Sequence, residues 1–286
     1  MLMEAIPAKE YKSEVTPVWC PGCGDYGVLN SYLKALSELK IDYNKAVTVS
    51  GIGCSSRFPF FVKTYGIHSL HGRALPLAVG VKLARPDLNV VVTCGDGDGF
   101  SIGGGHVPHV VRKNIDITWI CMDNSIYGLT KGQVSPTSSV GLPGSTTPYG
   151  CPDEPINPMA YTLTYGATFV AKAFSGNPKE LTQIFIKALQ HKGFSFIDVI
   201  SPCPSFNKKD TFKAYKDVLE PISEDHDVTD KVKALDIAIN SGGKLITGIY
   251  YKEDKPDYWS MLEGIKEKSK ASDKPDYEAI IDTFKV

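Results

Sequence analysis

The sequence predicts an α/β fold built on a doubly wound, mostly parallel sheet. Short apolar runs that are typical of buried strands alternate with segments of helical periodicity. The clearest unit spans residues 90–130, where apolar runs at 90–94 and 117–122 flank a segment that we interpret as a helix. A strand, a helix and a second strand in this order are typical of a crossover between parallel strands.

The remaining elements continue this alternation along the chain. Apolar spacing predicts helices at 26–39, 75–83, 159–165 and 178–190, and strands at 46–50, 167–171 and 194–201. Between these elements, residues 134–157 have no periodicity and are rich in Pro, Gly, Ser and Thr. Because strands resume afterwards, we expect a lid or partner-contacting loop there, not a linker.

We divide the chain into three parts. Residues 1–18 carry charge without periodicity and are predicted to form an N-terminal arm, and residues 19–207 form the main domain. Residues 208–286 are rich in Lys and Asp and are predicted to be an irregular C-terminal extension that packs on a partner subunit, with a solvated tail as the alternative. Within it we expect an edge or hairpin strand at 245–251 and a terminal helix at 258–268.

Composition excludes several classes of protein. The 286 residues are 42% hydrophobic and 22% charged, which is ordinary for a soluble globular protein. A net charge of −1 gives no reason to expect nucleic acid or an anionic membrane as partner. No apolar run approaches the roughly 20 residues of a membrane span, and the N-terminus is too polar for a signal peptide. We therefore expect a cytoplasmic protein, whose seven cysteines form no disulfide framework.

A glycine-rich turn follows the first strand of the central unit. It contains Asp96 and Asp98 between Gly95, Gly97 and Gly99, and Asn124 follows the second strand. Parallel strands joined by one helix place Asp96 and Asn124 at the same sheet edge, where a carboxylate and an amide oxygen suit Mg²⁺ holding a diphosphate. The alternative is a tight turn with a helix-capping Asp. A dinucleotide fingerprint is not favoured, because the glycines do not fit its spacing.

Four cysteines are predicted at turns or strand ends along the same edge. Cys20 and Cys23 form a C-x-x-C turn, Cys54 lies among glycines after the strand at 46–50, and Cys203 follows the strand at 194–201. A C-x-x-C turn alone fits a thioredoxin-like pair, half of a zinc site or half of an iron–sulfur site. The thioredoxin-like interpretation is weakened because no strand is predicted before Trp19. Four thiolates fit zinc and a [4Fe–4S] cluster equally well.

The other three cysteines have different settings. Cys94 and Cys121 lie inside apolar strands and are interpreted as small buried hydrophobes. Cys151 lies in the loop at 134–157, so it competes with Cys203 as the fourth ligand.

A series of motifs between Trp19 and Asn207 carries a family resemblance. In order they read WCPGCGD, GIGCSSRFP, HGRA, GDGD, DNSIYGLTKGQVSPTS and SPCP. With them the chain resembles the β subunit of 2-oxoacid:ferredoxin oxidoreductases, and the SRFP and GLTKGQ segments are most similar to the 2-oxoglutarate branch.

The resemblance implies a thiamine diphosphate-binding fold with three cofactors: thiamine diphosphate, Mg²⁺ and one [4Fe–4S] cluster. Mg²⁺ would be bound by Asp96, Asn124 and the backbone carbonyl of Ile126. The family pattern selects Cys203 over Cys151, so the expected cluster ligands are Cys20, Cys23, Cys54 and Cys203. The other expected cofactor contacts are Gly53, Cys54, Ser55, His71, Gly95, Gly97, Asp98, Gly128, Leu129 and Thr130. For His71 a structural role is the alternative.

The resemblance also implies the reaction. A 2-oxoacid would be oxidatively decarboxylated with coenzyme A to acyl-CoA, CO₂ and reduced ferredoxin, in either direction, with the electrons passing through the cluster. The family uses an activating glutamate, but none of Glu4, Glu10, Glu14 and Glu38 has a suitable setting. We therefore expect that residue on a partner α subunit, no certain catalytic residue in this chain, and an αβ or (αβ)₂ complex.

Two basic residues are candidates for substrate binding. Arg57 and Lys131 lie beside the cofactor motifs, and a dicarboxylate such as 2-oxoglutarate needs a cation for its distal carboxylate. Lys131 could instead meet the phosphates of coenzyme A, and either residue could simply be a surface cation. Alternative functions are a pyruvate:ferredoxin oxidoreductase subunit, a thiamine diphosphate decarboxylase subunit without redox chemistry, and a zinc-stabilised scaffold.

Overall fold

The computed structural model of the chain describes residues 6–269 and 276–285. Its strands are β1 (Ala46–Ser50), β2 (Tyr65–His68), β3 (Asn89–Gly95), β4 (Thr118–Asp123), β5 (Ile126–Tyr127), β6 (Gln133–Val134), β7 (Phe169–Phe174), β8 (Ser195–Ile200), β9 (Leu219–Pro221) and β10 (Leu245–Lys252). Its α-helices are α1 (Asp25–Glu38), α2 (Ala74–Ala84), α3 (Val107–Arg112), α4 (Pro158–Thr164), α5 (Pro178–Gln190), α6 (Phe212–Lys216), α7 (Lys231–Ile239), α8 (Tyr258–Ser269) and α9 (Tyr277–Asp282). Residues 1–5 of the predicted arm, and 270–275 and 286 of the predicted extension, lie outside the described residues.

The strands form one large sheet and one small ribbon. Within the described residues, the large sheet has eight strands in the order β2-β1-β3-β4-β8-β7-β10-β9. From β2 to β7 all neighbouring strands pair in parallel, and β10 runs antiparallel to β7. Strands β5 and β6 form a separate antiparallel ribbon. The predicted α/β fold with a mostly parallel sheet is confirmed.

Apolar side chains fill both faces of this sheet. In β3, Val90, Val92 and Cys94 join a core that also contains residues of α2, α3 and α4. Val91 points to the opposite core, which contains residues of α1 and α5. Side chains of a strand alternate between the two faces, so a strand buried on both sides reads as a continuous apolar run. Cys94 and Cys121 are fully buried in the first of these cores, as predicted.

In the large sheet, β2 and β10 show where the structure differs from the sequence-based expectation. Strand β2 was not predicted, because its four residues are mostly exposed at the sheet edge and show no apolar pattern. The strand predicted at 245–251 forms as β10, but it lies between β7 and β9 and is therefore not at an edge. The Lys- and Asp-rich composition of residues 208–286 suggested solvent exposure, whereas β9, only three residues long, covers the outer side of β10.

The ends of the chain are more ordered than we expected. Tyr11 in the arm is completely buried, and its hydroxyl donates to the carbonyl oxygen of Ile41 at 2.6 Å, so the described part of the arm lies on the main domain. The extension was expected to be irregular, but its described residues contain helices and add β9 and β10 to the main sheet. Among the described residues, we find no helix with the length and apolar character that a membrane span requires.

Candidate functional site

The carboxyl ends of four parallel strands bring the sequence motifs together. Strands β1, β3, β4 and β8 are neighbours and run in the same direction, so all four end at one edge of the sheet. Gly51, Asp96, Asn124 and Ser201 are the residues that follow directly. Such an edge is where doubly wound sheets bind ligands. The placement of Asp96 and Asn124 at one edge is thus as predicted.

A cavity of about 150 Å³ opens at this edge. Its wall consists of Ile52, Gly53, Cys54, Ser55, His71, Gly95, Asp96, Gly97, Asp98, Asn124, Ile126, Tyr127, Gly128, Leu129 and Thr130. Every residue expected to contact the organic cofactor or Mg²⁺ is in this wall. A larger open cavity of about 790 Å³, between α5 and β10, contains none of them.

Sequence reasoning missed Ile52 and Tyr127, which also line the cavity. The Tyr127 ring lies against Gly97, where an added Cβ would come within 2.2 Å of the ring, and its hydroxyl donates to the Gly97 carbonyl at 3.2 Å. Glycine at 97 is therefore required by this close contact. Ile126 and Gly128 were both predicted as cofactor contacts, so the residue between them, Tyr127, could have been predicted as a contact as well.

Asp96 lies in a buried acidic setting. Its side chain is 2% exposed, and the Thr137 hydroxyl lies 2.8 Å from Asp96 Oδ2 and 2.7 Å from Asp123 Oδ1. One hydroxyl proton can serve only one of these carboxylates at a time. Burial raises the pKa of Asp96, and burial together with the Asp96 charge raises the pKa of Asp123 well above its usual value. A cation bound at Asp96 would relieve this repulsion.

The oxygen donors around Asp96 match the chemistry of Mg²⁺. Asn124 Oδ1 accepts a hydrogen bond from the Ile126 amide at 3.1 Å, which fixes the orientation of the Asn124 amide. A carboxylate, an amide oxygen and a backbone carbonyl are hard oxygen ligands of the kind that Mg²⁺ takes, usually with a substrate phosphate. The residues at this edge therefore fit a magnesium diphosphate.

Backbone and side-chain contacts join the segments that carry the four cysteines. The Trp19 indole N–H donates to the Cys54 carbonyl at 2.7 Å, and the Gly24 amide donates to the Pro202 carbonyl at 3.1 Å. A Cβ added to Gly128 would lie 3.6 Å from the sulfurs of both Cys54 and Cys203. The C-x-x-C turn, the loop after β1 and the loop after β8 therefore meet beside the cavity.

The electrostatics of the thiols show the same proximity. Burial, together with the charges of Asp25, Cys203 and Cys20, raises the pKa of Cys54 to about 11, although Arg57 acts to lower it. Burial also raises the pKa of Cys23, with contributions from Asp25, Cys203 and Cys54. All seven cysteines are free. Cys151 is buried in the loop at 134–157, where its thiol contacts the Asp153 carbonyl.

The thiols are neighbours and do not form a closed ligand shell. As the side chains stand, no group of three or more His, Cys, Asp or Glu residues in the described part of the chain is arranged to hold a metal ion. The donor set still fits a metal cluster, because four free thiols lie on loops that meet at one edge. A positively charged metal centre would lower the raised pKa values of Cys23 and Cys54 and so favour the thiolates that ligate it.

The structure does not bring the two candidate substrate residues into the cavity. Arg57 lies in a short 3₁₀ helix, Ser55–Phe61, and its charge acts on the Cys54 thiol. Lys131 is exposed and has a positive φ of 75°. Neither residue is part of the cavity wall.

Comparison with known proteins identifies the family. Residues 51–199 match the family described as thiamine pyrophosphate enzyme, C-terminal TPP binding domain. Residues 203–267 match a second family, described as the C-terminal part of the pyruvate ferredoxin oxidoreductase beta chain. A 2-oxoacid:ferredoxin oxidoreductase subunit beta from Saccharolobus solfataricus is 41% identical over 249 residues, which cover 82% of each chain. The chain belongs to the 2-oxoacid:ferredoxin oxidoreductase β-subunit family.

Two further relatives belong to the 2-oxoglutarate branch. The 2-oxoglutarate oxidoreductase subunit KorB of Mycobacterium tuberculosis is 48% identical over 199 residues, which are 70% of this chain but 53% of that relative. The 2-oxoglutarate:ferredoxin oxidoreductase from Magnetococcus marinus, solved with 2-oxoglutarate, coenzyme A and succinyl-CoA bound, is 51% identical with a TM-score of 0.96. That match covers 100% of this chain and 98% of the solved chain.

Proposed function

We propose that this β subunit binds thiamine diphosphate, Mg²⁺ and one [4Fe–4S] cluster in an enzyme that oxidatively decarboxylates 2-oxoglutarate. With coenzyme A the products would be succinyl-CoA, CO₂ and reduced ferredoxin, and the reaction could run in reverse. One observation carries the proposal: Cys54 is both in the wall of the cavity and next to Cys203. A redox centre and an organic cofactor would thus be neighbours.

The wall of the cavity would position the organic cofactor. Asp96, Asn124 and the Ile126 carbonyl would hold Mg²⁺ and through it the diphosphate. Thiamine diphosphate, when bound, supplies the carbanion chemistry that removes CO₂ from a 2-oxoacid. Gly53, with its φ of 136°, and Gly128 present backbone without a side chain, so the cofactor could approach closely.

The four thiolates of Cys20, Cys23, Cys54 and Cys203 would ligate the cluster. Iron fits the proposed reaction better than zinc, because zinc has no redox chemistry and the reaction releases electrons. Cys20 is exposed whereas Cys54 lies in the cavity wall, so the ligands span from the protein surface to the cavity. This arrangement suits electron transfer from the cavity to a ferredoxin outside.

The site requires a second subunit. Among the described residues, no glutamate lines the cavity, so the glutamate that activates the cofactor would come from the α subunit. We therefore propose an αβ or (αβ)₂ complex in the cytoplasm, with no nucleic acid or membrane partner. The domain boundaries at residues 18 and 207 and the packing of the extension on the α subunit are part of this proposal.

The choice of 2-oxoglutarate is supported by the branch to which the relatives belong. The Magnetococcus marinus enzyme was solved with 2-oxoglutarate bound, whereas the family matched by residues 203–267 is named for pyruvate. Arg57 and Lys131 remain the proposed substrate cations. Because neither lines the cavity, they would contact the distal carboxylate outside its wall. Assaying the complex with 2-oxoglutarate and with pyruvate distinguishes the two substrates. A clear preference for pyruvate would reject 2-oxoglutarate as the substrate.

Metal analysis of two matched variants tests the cluster. In the reconstituted αβ complex, we expect Cys203→Ser to lose most of its iron and its 2-oxoglutarate-dependent dye reduction. Cys151 is also buried but lies outside the group, so Cys151→Ser should retain both. The β subunit purified alone should show no dye reduction. Zinc in place of iron, or full iron content in Cys203→Ser, would refute the assignment.

A further inference from the structure

The hydroxyl of Thr137 lies between two carboxyl groups at the carboxyl edge of the sheet. Its oxygen is 2.8 Å from Asp96 Oδ2 and 2.7 Å from Asp123 Oδ1, and one O–H group donates to only one of them at a time. Asp123 Oδ1 already accepts from the Ser125 amide at 2.9 Å and from the Ser125 hydroxyl at 3.2 Å. We therefore assign the Thr137 proton to Asp96, where the Ser135 hydroxyl also acts on the carboxylate.

The turn at 135–138 holds Thr137 in this position. Ser138 Oγ donates to the Ser125 carbonyl at 2.6 Å and accepts from the Ser135 amide at 2.8 Å, and the Ser138 amide donates to the Ser135 carbonyl at 3.0 Å. Both of these turn serines are buried. Ser125 is the middle residue of 124–126, the segment that carries the other proposed Mg²⁺ ligands. The turn is thus fastened to that segment through Ser138 and to the metal-binding carboxylate through Thr137.

We propose that Thr137 is a positioning residue for Mg²⁺ binding, and that the turn at 135–138 holds together the two segments that carry the metal ligands. This inference deepens the proposed function and rests on the magnesium site at Asp96. The Thr137 hydroxyl restrains the Asp96 carboxylate through Oδ2, so less side-chain freedom is lost when the metal binds. Because linkage is reciprocal, bound Mg²⁺ stabilises the turn by the free energy that the turn adds to Mg²⁺ binding.

Calorimetric titration of Mg²⁺ into the αβ complex with excess thiamine diphosphate tests the positioning role without turnover. We expect Thr137→Val, which keeps the branched shape and loses the hydroxyl, to weaken Mg²⁺ binding by about 10- to 100-fold, as for other partners that orient metal ligands. Thr137→Ser offers the same donor and should stay within about 3-fold of the wild type. Wild-type affinity in Thr137→Val, or an equal loss in Thr137→Ser, would overturn the inference.

Kinetics and a matched control separate positioning from a direct role. Thr137 is not in the wall of the cofactor cavity, so raising the Mg²⁺ concentration should restore kcat in Thr137→Val. A loss of kcat that persists at saturating Mg²⁺ would contradict the proposal. Thr147 lies in the same loop, and its buried hydroxyl has no hydrogen-bond partner within the described part of the chain. Thr147→Val should therefore keep wild-type Mg²⁺ affinity, and a loss equal to that of Thr137→Val would refute a specific role for Thr137.

Hydrogen exchange tests the reciprocal effect on the turn. Adding Mg²⁺ and thiamine diphosphate to the wild-type complex should slow exchange of the amides at 135–138, and this slowing should be largely lost in Thr137→Val. Unchanged exchange in the wild type would overturn the linkage.

Asp96→Asn distinguishes this inference from the proposed function. If Asp96→Asn binds Mg²⁺ as the wild type does, the magnesium site itself is wrong and the inference fails with it. If Asp96→Asn binds Mg²⁺ weakly and Thr137→Val binds it normally, only the role of Thr137 is wrong.

Discussion

Replacing Asp96 with Asn should lower the activity of the αβ complex by on the order of 10³-fold, which corresponds to about 4 kcal/mol of lost stabilisation. The substitution keeps the size of the side chain and removes the negative charge that Mg²⁺ requires. The expected cause is loss of the magnesium diphosphate. Calorimetric titration with thiamine diphosphate at several Mg²⁺ concentrations should show that the affinity for both is weakened together.

The same substitution should not unfold the protein. Burial raises the pKa of Asp96, and Asp123 lies beside it on the Thr137 hydroxyl, so removing one charge relieves repulsion in the cofactor-free chain. We therefore expect a melting temperature at least equal to that of the wild type. The exposed Asp153 provides the control Asp153→Asn, which should bind cofactor normally. Undiminished Mg²⁺-dependent binding by Asp96→Asn would refute its assignment as a ligand.

The parts of the site that sequence predicted are those fixed by strand direction. Asp96 and Asn124 directly follow β3 and β4, and parallel pairing of these strands is sufficient to place both residues at one edge. The same argument applies to Cys54 after β1 and to Cys203 shortly after β8. In each case the local apolar pattern identifies the strand. The rule that the carboxyl ends of parallel strands lie at one sheet edge then places the residue that follows it.

Contacts between distant segments could not be predicted in this way. Thr137 lies in the loop at 134–157, yet it contacts Asp96 and Asp123, and no spacing in the sequence links these residues. Asp98 lies in the cavity wall, and no pattern in the sequence indicated that its Oδ1 would also accept from groups of two other loops. Arg57 remains a proposed substrate cation, and the sequence did not indicate that the 3₁₀ helix containing it would bring its charge to the Cys54 thiol.

Strand β10 was misplaced for a related reason. Thr247 and Gly248 interrupt its apolar run, and a partner strand far away in sequence determines whether it is at an edge. Pairing with β7 and β9 covers both of its sides. The Lys- and Asp-rich composition of the extension therefore does not show whether the middle of such a strand is exposed.

A buried ion pair between β7 and β8 leads to the second prediction with a large effect. Lys172 and Asp198 are register partners on these strands, with 2.7 Å between Nζ and Oδ2, and their side chains are 14% and 0% exposed. Burial by itself would lower the pKa of Lys172, but the Asp198 carboxylate, with Tyr250, raises it above its usual value. The Asp198 charge in turn raises the pKa of Asp123 at the site edge.

Lys172→Met should reduce the free energy of unfolding by about 3–5 kcal/mol, because it leaves Asp198 buried without its cation and close to Asp123. Denaturant unfolding of the full chain at neutral pH measures this. Lys244, whose pair with Glu220 is 2.8 Å long but about half exposed at 45% and 51%, gives the matched control Lys244→Met. That control should change stability by less than about 1 kcal/mol, because exposed pairs are screened by water and salt.

The double variant Lys172→Met with Asp198→Leu separates the two contributions in the ion pair. Removing both charges leaves an apolar pair of similar volume, so stability should recover most of what Lys172→Met loses. Recovery would mean that the damage comes from the uncompensated carboxylate and not from a cavity at position 172. If the double variant is as unstable as the single one, the stem of Lys172 stabilises the sheet through packing. In that case the uncompensated charge of Asp198 contributes little to the loss of stability in Lys172→Met.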